Sequence, residues 1–384
     1  MMRRKTNTVH IGALPLGSDY PVRVQTMTNT DTMDANATVA QCIRIVEAGG
    51  EYVRIAAIGV REAQQLSIIK KELQKRGYHV PLIADVHFSP KAAEIAAQIV
   101  NKVRINPGNY VDKKSKKTEN YTEHEYSLEL ERIHGRLLPL IKICKENGSA
   151  IRIGSNHGSL SDRIMKRYGN SSQGMVEAAM EFLRIFEAEN FNQTVVSMKS
   201  SNVYVAIEST RMLVERMKQE NMHYPLHLGV TEAGEGDDGR IKSAVGIGAL
   251  LMEGIGDTLR VSLTEPPEAE IPVAFNILQA CRVRISKPEY ISCPSCGRTR
   301  FALQNTVAKI KERTANLIGL KIAIMGCIVN GPGEMADADY GYVGEAPGKI
   351  TLYKKKEIVK RNIPEEKAVE ELINLIKANG DWKE

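Results

Sequence analysis

Short apolar runs alternate with longer amphipathic runs along most of the chain. Eight of the short runs have the length and β-branched content of buried strands, at residues 22–27, 52–57, 81–86, 102–105, 150–154, 194–199, 225–230 and 258–263. The longer runs predict helices at 35–47, 62–76, from Pro90 onwards, and near 126–146, 160–190, 203–220, 240–254 and 267–286. Strict alternation of strand and helix is typical of a parallel sheet with helices outside it.

Two architectures fit this alternation, and the polar residues at the strand ends discriminate between them. An open, doubly wound sheet binds its ligand at one switch point, between a few strands. A (β/α)8 barrel of the TIM type collects active-site residues from the ends of all its strands. Here every predicted strand ends in polar or charged residues: Gln25, Arg54, Asp85, His87, Arg104, Asn106, Arg152, Ser155, Asn156, Lys199, Thr231, Glu232, Arg260 and Ser262. We therefore predict a TIM-type barrel over residues 1–288.

From about Tyr290 the alternation stops, which predicts a second, small α+β domain over residues 289–384. The pattern there predicts a helix near 302–316, a strand near 320–326, a hairpin near 349–362 and a final helix near 364–378. Within the barrel, residues 111–125 carry the basic run Lys113–Lys117 after the fourth predicted strand. A run of like charges is typical of a solvated loop.

Composition indicates a compartment and excludes some classes of protein. The chain has 384 residues, and no apolar run approaches the roughly 20 residues of a membrane helix. No apolar segment of signal-peptide type follows the basic start, so a cytoplasmic protein is predicted. A net charge of +6 and an aromatic content of 5% are both low for a nucleic-acid binder. Three of the six cysteines lie in predicted helices, where buried side chains are expected: Cys42, Cys144 and Cys281.

The other three cysteines form a motif with metal-binding character. Cys293 and Cys296 have C-x2-C spacing, Cys327 follows, and a glycine-rich turn then carries Glu334. Structural zinc needs four ligands, and no histidine follows His227. A 4Fe-4S cluster usually takes four thiolates, so three would leave one iron for a weaker, displaceable ligand such as Glu334. We favour an iron–sulfur cluster; the alternatives are a zinc site with a borrowed ligand and a redox-active cysteine pair.

Five basic residues occupy equivalent positions at the predicted strand ends: Arg54, Arg104, Arg152, Lys199 and Arg260. Converging guanidinium groups repel one another unless an anion neutralises them, and they match phosphate oxygens bidentately. The set therefore predicts an anionic ligand with more than one phosphate. Asp85, His87 and Glu232 are acid–base candidates at the same edge; alternatively, Asp85 orients His87 or pairs with an arginine.

Four segments together resemble the 4-hydroxy-3-methylbut-2-enyl diphosphate synthase family: residues 24–31 (VQTMTNTD), 84–88 (ADVHF), 103–109 (VRINPGN) and 326–334 (GCIVNGPGE). The similarity runs from about residue 7 to the C-terminal helix. The resemblance implies the penultimate step of the non-mevalonate isoprenoid pathway. In that step 2-C-methyl-D-erythritol 2,4-cyclodiphosphate is opened and reductively dehydrated to an allylic diphosphate.

Carried over position by position, the resemblance also implies residue roles. The cluster ligands would be Cys293, Cys296, Cys327 and Glu334. The substrate site would contain Arg54, Asp85, His87, Arg104, Asn106, Arg152, Asn156, Lys199, Arg260 and Ser262, with Glu232 as an acid–base residue. Members of the family are homodimers in which the small domain of one chain caps the barrel of the other. Their electrons come singly from a carrier such as flavodoxin or ferredoxin.

Some members of the family contain a large extra domain between the barrel and the cluster domain. Only about 30 residues separate Ser262 from Cys293 here, so the chain resembles the short form. Two other functions remain open from the residues themselves. One is a zinc-stabilised barrel that binds an anionic metabolite, and the other is a barrel for methyl transfer of the pterin or cobalamin type.

Overall fold

The computed structural model describes residues 3–111, 121–329 and 331–383. The chain divides after Arg284 into two compact units, close to the predicted boundary between residues 288 and 289. The lysine run of the predicted loop 111–125 falls in residues 112–120, which lie outside the described residues. The prediction of a solvated loop at that place therefore stays a prediction.

The first unit is built on eight parallel strands whose sheet closes on itself. The strands are β1 (Arg23–Met27), β2 (Tyr52–Ala57), β3 (Leu82–Val86), β4 (Lys102–Ile105), β5 (Ala150–Asn156), β6 (Thr194–Lys199), β7 (His227–Leu228) and β8 (Thr258–Leu259). Their order is β6-β5-β4-β3-β2-β1-β8-β7, and a parallel bridge between Val196 and Leu226 joins β6 to the residue before β7. The predicted TIM-type barrel is confirmed, although β7 and β8 are shorter than their apolar runs predict.

Helices follow the strands as the alternation predicts. They are α1 (Ala35–Glu47), α2 (Val60–Lys75), α3 (Pro90–Ala97), α4 (Glu123–Asn147), α5 (Asp162–Tyr168), α6 (Ser172–Ala188), α7 (Val203–Gln219), α8 (Gly236–Met252) and α9 (Glu270–Ala280). Side-chain caps fix several starts; Ser89, for example, accepts a hydrogen bond from the backbone N–H of Ala92, and Pro90 then opens α3. Across the described part of the chain, none of the helices is both long and apolar enough to cross a membrane.

Two of the predicted helices are wrong in extent. Residues 160–190 form two helices, α5 and α6, because Gly169 ends α5 with a φ of 71° and Ser171 caps α6. Residues 267–286 form a 3-10 turn, Pro267–Ala269, followed by α9, which ends at Ala280. Between α5 and α6, a local backbone signal overrides an apolar pattern that continues through it.

The two faces of the barrel strands differ in chemistry. Outward-facing residues such as Val53, Val103 and Ile151 pack with the helices in the main hydrophobic cluster. A second apolar cluster lies inside the barrel, at the amino-terminal ends of the strands, and combines inward-facing strand residues with an N-terminal hairpin: Tyr52, Ile83, Ala150, Val195, Val9, Ile11 and Leu16. This cluster forms an apolar floor. Most of the inward-facing positions above the floor are polar.

The N-terminal segment is fastened to the last strands of the barrel. Arg3 Nη2 donates to the buried carboxylate of Asp257 at 2.8 Å, and the Thr6 hydroxyl donates to the same carboxylate at 3.0 Å. The other Asp257 oxygen accepts a hydrogen bond from the backbone N–H of Leu226 at 2.9 Å. One carboxylate therefore joins the beginning of the chain to the point where the barrel closes.

The second unit folds around a five-stranded mixed sheet in the order β13-β12-β11-β10-β9. Its strands are β9 (Glu289–Ser292), β10 (Lys321–Met325), β11 (Tyr340–Ala346), β12 (Lys349–Lys354) and β13 (Glu357–Pro364); its helices are α10 (Leu303–Arg313), α11 (Gly331–Glu334) and α12 (Glu365–Ala378). β12 and β13 form the predicted hairpin. The sequence pattern predicts neither β9 nor β11. Gly344 interrupts the apolar run of β11 because a Cβ there would come within 2.5 Å of the Gly326 carbonyl oxygen.

Candidate active-site residues of the two units

Five predicted site residues occupy inward-facing positions above the apolar floor. Arg54, Asp85 and Arg152 each follow a floor residue by two positions, and Lys199 follows Val195 by four, so all face the barrel interior. Arg104 lies two positions after Lys102, on the same face of β4. All five are buried, and Arg152 is only 1% exposed. Together with Arg260 after β8, the basic residues of this set are called the mouth cations: Arg54, Arg104, Arg152, Lys199 and Arg260.

Asp85 forms ion pairs with two of the mouth cations. Its Oδ1 accepts a hydrogen bond from Arg104 Nη1 at 3.1 Å, and its Oδ2 lies 3.7 Å from Arg54 Nε. Burial alone would raise the pKa of Asp85, but the two guanidinium groups hold it well below its usual range. His87 Nε2 accepts a hydrogen bond from the same Arg104 Nη1, and Asn109 contacts its Nδ1 at 3.2 Å. The geometry favours the interpretation in which Asp85 holds arginines in place.

Arg260 has a carboxylate partner that the sequence analysis missed. Glu270, the first residue of α9, accepts hydrogen bonds from Arg260 Nε and Nη2, both at 3.0 Å. The Glu270 side chain is 2% exposed, so the pair is largely withdrawn from water. An acidic residue in the first turn of a helix has a local explanation in the helix dipole. The sequence pattern does not indicate that Glu270 pairs with Arg260.

Among the described residues, two mouth cations have no such carboxylate partner. No ion pair within the described ranges includes Arg152 or Lys199, and Nε and Nη1 of Arg152 are buried with no hydrogen-bond partner there. Burial lowers the pKa of Lys199 well below its usual range, and the charges of Arg152 and Arg54 lower it further. Arginine stays protonated in proteins, and the charge of Arg152 is offset only in part by the carboxylate of Asp85, which already pairs with Arg54 and Arg104; the arrangement therefore favours a bound anion.

Glycines make room for two of the mouth cations. A Cβ at Gly154 would lie 2.4 Å from Arg104 Nε, and a Cβ at Gly229 would lie 2.8 Å from Lys199 Nζ. The Gly229 position is also 2.6 Å from the backbone oxygen of Arg260, which cannot swing away. Glycine is therefore required at both positions, because any larger residue would collide with the side chain of Arg104 or Lys199.

Gly229→Ala is expected to lower the free energy of unfolding by about 1–3 kcal/mol, because the added methyl group overpacks the site. It is also expected to weaken the binding of pyrophosphate, since Lys199 must move. Urea unfolding and calorimetric titration measure the two effects. The control is Gly135→Ala in α4, where nothing lies within 4 Å of the new Cβ; it should stabilise the protein by about 1 kcal/mol and leave binding unchanged. Wild-type behaviour of Gly229→Ala would contradict the close approach.

The remaining predicted residues of the barrel lie around the same edge. The amide of Asn106 is buried and donates to Ser159 Oγ at 3.0 Å. The Oδ1 atom of Asn156 is buried and has no hydrogen-bond partner among the described residues. Ser262 is half-buried after β8. Glu232 is exposed after β7 and has a left-handed backbone, with a φ of 53°, which a non-glycine residue rarely adopts.

Several further polar residues of the described strands face the barrel interior without having been predicted as site residues, among them Lys102, Gln25 and His227. Lys102 is fully buried, and its Nζ lies 5.1 Å from the ring centroid of Tyr52. Gln25 and His227 are each 1% exposed. Across the described ranges, Lys102 Nζ, His227 Nε2 and both amide atoms of Gln25 have no hydrogen-bond partner. The two-residue spacing of Lys102 from Arg104 is the signal that could have identified it.

Binding of a polyanion should be accompanied by proton uptake. The pKa of Lys199 in the folded protein lies below the 10.5 of an ordinary lysine. At a pH between these two pKa values, the unfolded chain therefore binds more protons than the folded protein. This lysine therefore makes the ligand-free protein more stable as the pH rises through that window. An anion raises the pKa again, so we expect calorimetric titrations with pyrophosphate at mildly alkaline pH to show proton uptake in buffers of different ionisation enthalpy.

The variant Lys199→Met provides the control for this measurement. At saturating pyrophosphate it should take up fewer protons than the wild type, with the remainder assigned to Lys102, whose pKa is lowered by burial and by the charge of Arg152. A binding enthalpy that is independent of the buffer in the wild type would contradict the prediction.

In the second unit, the four predicted cluster ligands line one cavity of about 340 Å³: Cys293, Cys296, Cys327 and Glu334. Two N–H groups already point at the sulfur atoms. The backbone N–H of Gly326 donates to Cys293 Sγ at 3.2 Å, and Arg298 Nε donates to Cys296 Sγ at 3.5 Å. Such contacts are a common feature of iron–sulfur sites, where they tune the reduction potential.

The cysteines are not gathered around a single point. Within the described part of the chain, no three His, Cys, Asp or Glu side chains are placed to hold one metal ion. A four-iron cluster has a different requirement, because each ligand binds a different iron. The three barrel cysteines, Cys42, Cys144 and Cys281, are buried or half-buried, and burial raises the pKa of each thiol.

Comparisons with known proteins cover both units. The family model of the GcpE TIM-barrel domain matches residues 6–275, and that of the GcpE protein C-terminal domain matches residues 289–378. A relative from Picosynechococcus sp., named 4-hydroxy-3-methylbut-2-en-1-yl diphosphate synthase (ferredoxin), is 52% identical over 382 residues, which cover 99% of this chain and 94% of the relative. A relative from Bacteroides fragilis, named as the flavodoxin form, is 40% identical and covers 100% of this chain and 97% of its own.

The two relatives differ in length. The Bacteroides alignment extends over 605 positions, against the 384 residues of this chain, so that relative contains sequence that this chain lacks. Among solved structures, dihydropteroate synthase from Yersinia pestis has a TM-score of 0.47 and 11% identity, with 72% of this chain and 100% of that chain covered. That likeness carries no argument about function. Both family models and the full-length relatives lead to one conclusion: the chain belongs to the GcpE family, the family of the 4-hydroxy-3-methylbut-2-en-1-yl diphosphate synthases.

Proposed function

We propose that this chain catalyses the reaction for which its relatives are named. As an oxidoreductase, it would open 2-C-methyl-D-erythritol 2,4-cyclodiphosphate to 4-hydroxy-3-methylbut-2-enyl diphosphate; counted on the neutral acids, two electrons and two protons enter and one water leaves. The observation that carries the proposal is the surplus of buried cations at the barrel mouth. Arg152 and Lys199 have no carboxylate partner within the described residues, and a diphosphate supplies the missing negative charge.

The mouth cations divide into two groups with different tasks. Arg54, Arg104 and Arg260 are held by carboxylates, so they would orient the diphosphate through donors of fixed direction. Arg152 and Lys199 would neutralise it, because neither forms an ion pair with a carboxylate among the described residues. Of the residues with smaller polar groups, Asn156 is the best placed to accept a hydrogen bond from a hydroxyl group of the substrate, since its Oδ1 is buried without a partner in the described ranges. Asn106, Ser262 and His87 complete the proposed site.

The cofactor that the second unit would hold is a 4Fe-4S cluster. Cys293, Cys296 and Cys327 would bind it as thiolates, with Glu334 as the displaceable fourth ligand. The donor set fits this group, since three thiols and one carboxylate line the same cavity and two N–H groups face the sulfur atoms. When bound, such a cluster transfers electrons one at a time. The relatives' names identify flavodoxin and ferredoxin as carriers, and we propose the same class of donor here.

Glu232 would provide the proton chemistry at the barrel mouth. Its carboxyl group is exposed after β7, so it can exchange protons with water. Its left-handed backbone fixes the direction in which the residue leaves the strand end. We assign it the task of supplying or relaying a proton to the leaving oxygen. We also propose a homodimer, which sedimentation analysis of the purified protein would detect.

The decisive experiment is anaerobic turnover of the cyclodiphosphate with an artificial one-electron donor, with the products followed by phosphorus NMR. The proposal predicts a brown protein that contains iron and acid-labile sulfide, is bleached by dithionite and releases the allylic diphosphate. A colourless protein with one zinc and no turnover would favour the zinc-stabilised barrel. An iron-containing protein that leaves the cyclodiphosphate untouched would contradict the proposed reaction and reopen the methyl-transfer alternative.

A further inference from the structure

The proposed diphosphate site contains one group of unexpected sign, the carboxylate of Glu270. It lies against Arg260, at the edge of a site that has to attract a polyanion. A negative charge there weakens the binding of any anion, by simple Coulomb repulsion. The side chain is 2% exposed, so solvent screens this repulsion poorly. Any role of the Glu270 carboxylate that favours anion binding therefore has to offset this repulsion.

The Glu270 carboxylate accepts four hydrogen bonds, whose donors lie on β1 and on the segment that follows β8. Oε2 accepts from Arg260 Nε at 3.0 Å and from the hydroxyl of Thr26 on β1. Oε1 accepts from Arg260 Nη2 at 3.0 Å and from the backbone N–H of Leu263 at 3.1 Å. The carboxylate is itself fixed by its place as the first residue of α9, where the helix dipole favours a negative charge. It therefore cannot rotate with the arginine it holds.

This pairing determines which edge of the Arg260 guanidinium is free to bind a ligand. The Nε–Nη2 edge of the guanidinium is occupied by Glu270. The Nη1–Nη2 edge remains, and Nη1 lies 3.8 Å from the sulfur of Met27. A guanidinium offers two such forked edges, and each matches two oxygens of a phosphate. With one edge clamped, the other is presented in a single orientation.

We propose that Glu270 is a positioning residue for the diphosphate: it clamps one edge of Arg260 so that the other edge is preorganised for phosphate oxygens. This inference rests on the proposed function of the barrel mouth as a diphosphate site. It differs from a purely electrostatic role in the sign of the effect. If only charge mattered, removal of the carboxylate would tighten anion binding, whereas loss of positioning weakens it.

The test is a double-mutant cycle on the full chain, with pyrophosphate as the titrated probe and binding measured by calorimetry. Four proteins are compared: the wild type, Glu270→Gln, Arg260→Met and the double variant. We expect Glu270→Gln to raise the Kd of pyrophosphate about ten-fold or more. In the Arg260→Met background the same change should not raise the Kd: the positioning effect needs that arginine, and loss of the negative charge by itself should leave the Kd unchanged or lower it. This second comparison separates positioning from a general loosening of the fold.

Two results would overturn the inference. One is a Kd that is unchanged or lower in Glu270→Gln; the other is an equal increase with and without Arg260. If Glu270→Gln fails to fold, Thr26→Val removes one of the four contacts and should raise the Kd to a smaller extent, and an unchanged Kd there would count against the inference. A wild-type protein that does not bind pyrophosphate would instead contradict the proposed function. The two failures are therefore distinguishable.

Discussion

Arg152→Met is expected to make the ligand-free protein more stable and, at the same time, to weaken its binding of pyrophosphate. The guanidinium of Arg152 is 1% exposed, and no carboxylate within the described residues pairs with it. Replacement of buried charge by an apolar side chain of similar volume often raises the free energy of unfolding by about 1–4 kcal/mol. Loss of a buried charged contact to the ligand costs about 2–5 kcal/mol of binding.

Urea unfolding of the ligand-free protein and calorimetric titration with pyrophosphate measure the two effects on the same preparation. Arg61→Met is the matched control, because Arg61 is an exposed residue of α2 and its removal changes the net charge equally. The control should leave both quantities nearly unchanged. An Arg152→Met protein that is less stable than the wild type, or that binds pyrophosphate as tightly, would show that the charge is compensated within the chain.

Cys327→Ser is expected to abolish the binding of iron and all turnover. A serine hydroxyl is a harder and less acidic ligand than a thiol, so it does not replace a thiolate on a soft iron–sulfur centre. Two cysteines and Glu334 would then be too few to hold the cluster. Iron and acid-labile sulfide are measured after anaerobic purification, together with the visible absorption and the rate of cyclodiphosphate consumption.

Cys281→Ser serves as the matched control for that experiment. Cys281 is half-buried at the end of α9, and burial raises the pKa of its thiol. This variant should keep its iron, its sulfide and its activity. Cys327→Ser should still bind pyrophosphate with wild-type affinity, because the mouth cations are all in the other unit. An active Cys327→Ser protein without iron would refute the proposed cofactor.

The alternation of strand and helix predicts the barrel well, because each repeat is a local pattern that buries one face of a strand and one stripe of a helix. The strand ends predict the mouth cations for a similar reason. Arg54 and Arg152 each lie two positions after an inward-facing residue, Tyr52 and Ala150. Side chains alternate between the two faces of a strand, so the sequence of a single strand is enough to predict this orientation. Both predictions depend on short-range regularities.

The partners of these cations could not be predicted in this way. Glu270 reaches Arg260 across a loop and a 3-10 turn, and its sequence context indicates only the start of a helix. Asp85 was identified as polar, but its commitment to Arg54 and Arg104 depends on the registry of three neighbouring strands. Gly344 was misleading for a related reason, since the close approach of Gly326 requires a glycine inside a strand. Long-range packing decides each of these cases.

The fastening of the N-terminal segment has a consequence for how the barrel folds. Residues 3–16 leave the ribosome before any of the strands that they contact, and the Arg3–Asp257 pair joins residues separated by 254 positions. The floor of the barrel, which includes the hairpin Val9–Leu16, can be completed only after Val195 on β6 has been synthesised, and the Arg3–Asp257 pair can form only after the residue that precedes β8. Contacts of such long sequence separation slow folding. Until then the early strands expose unpaired edges, so this barrel is expected to need its whole length, and protection from aggregation, before it gains native stability.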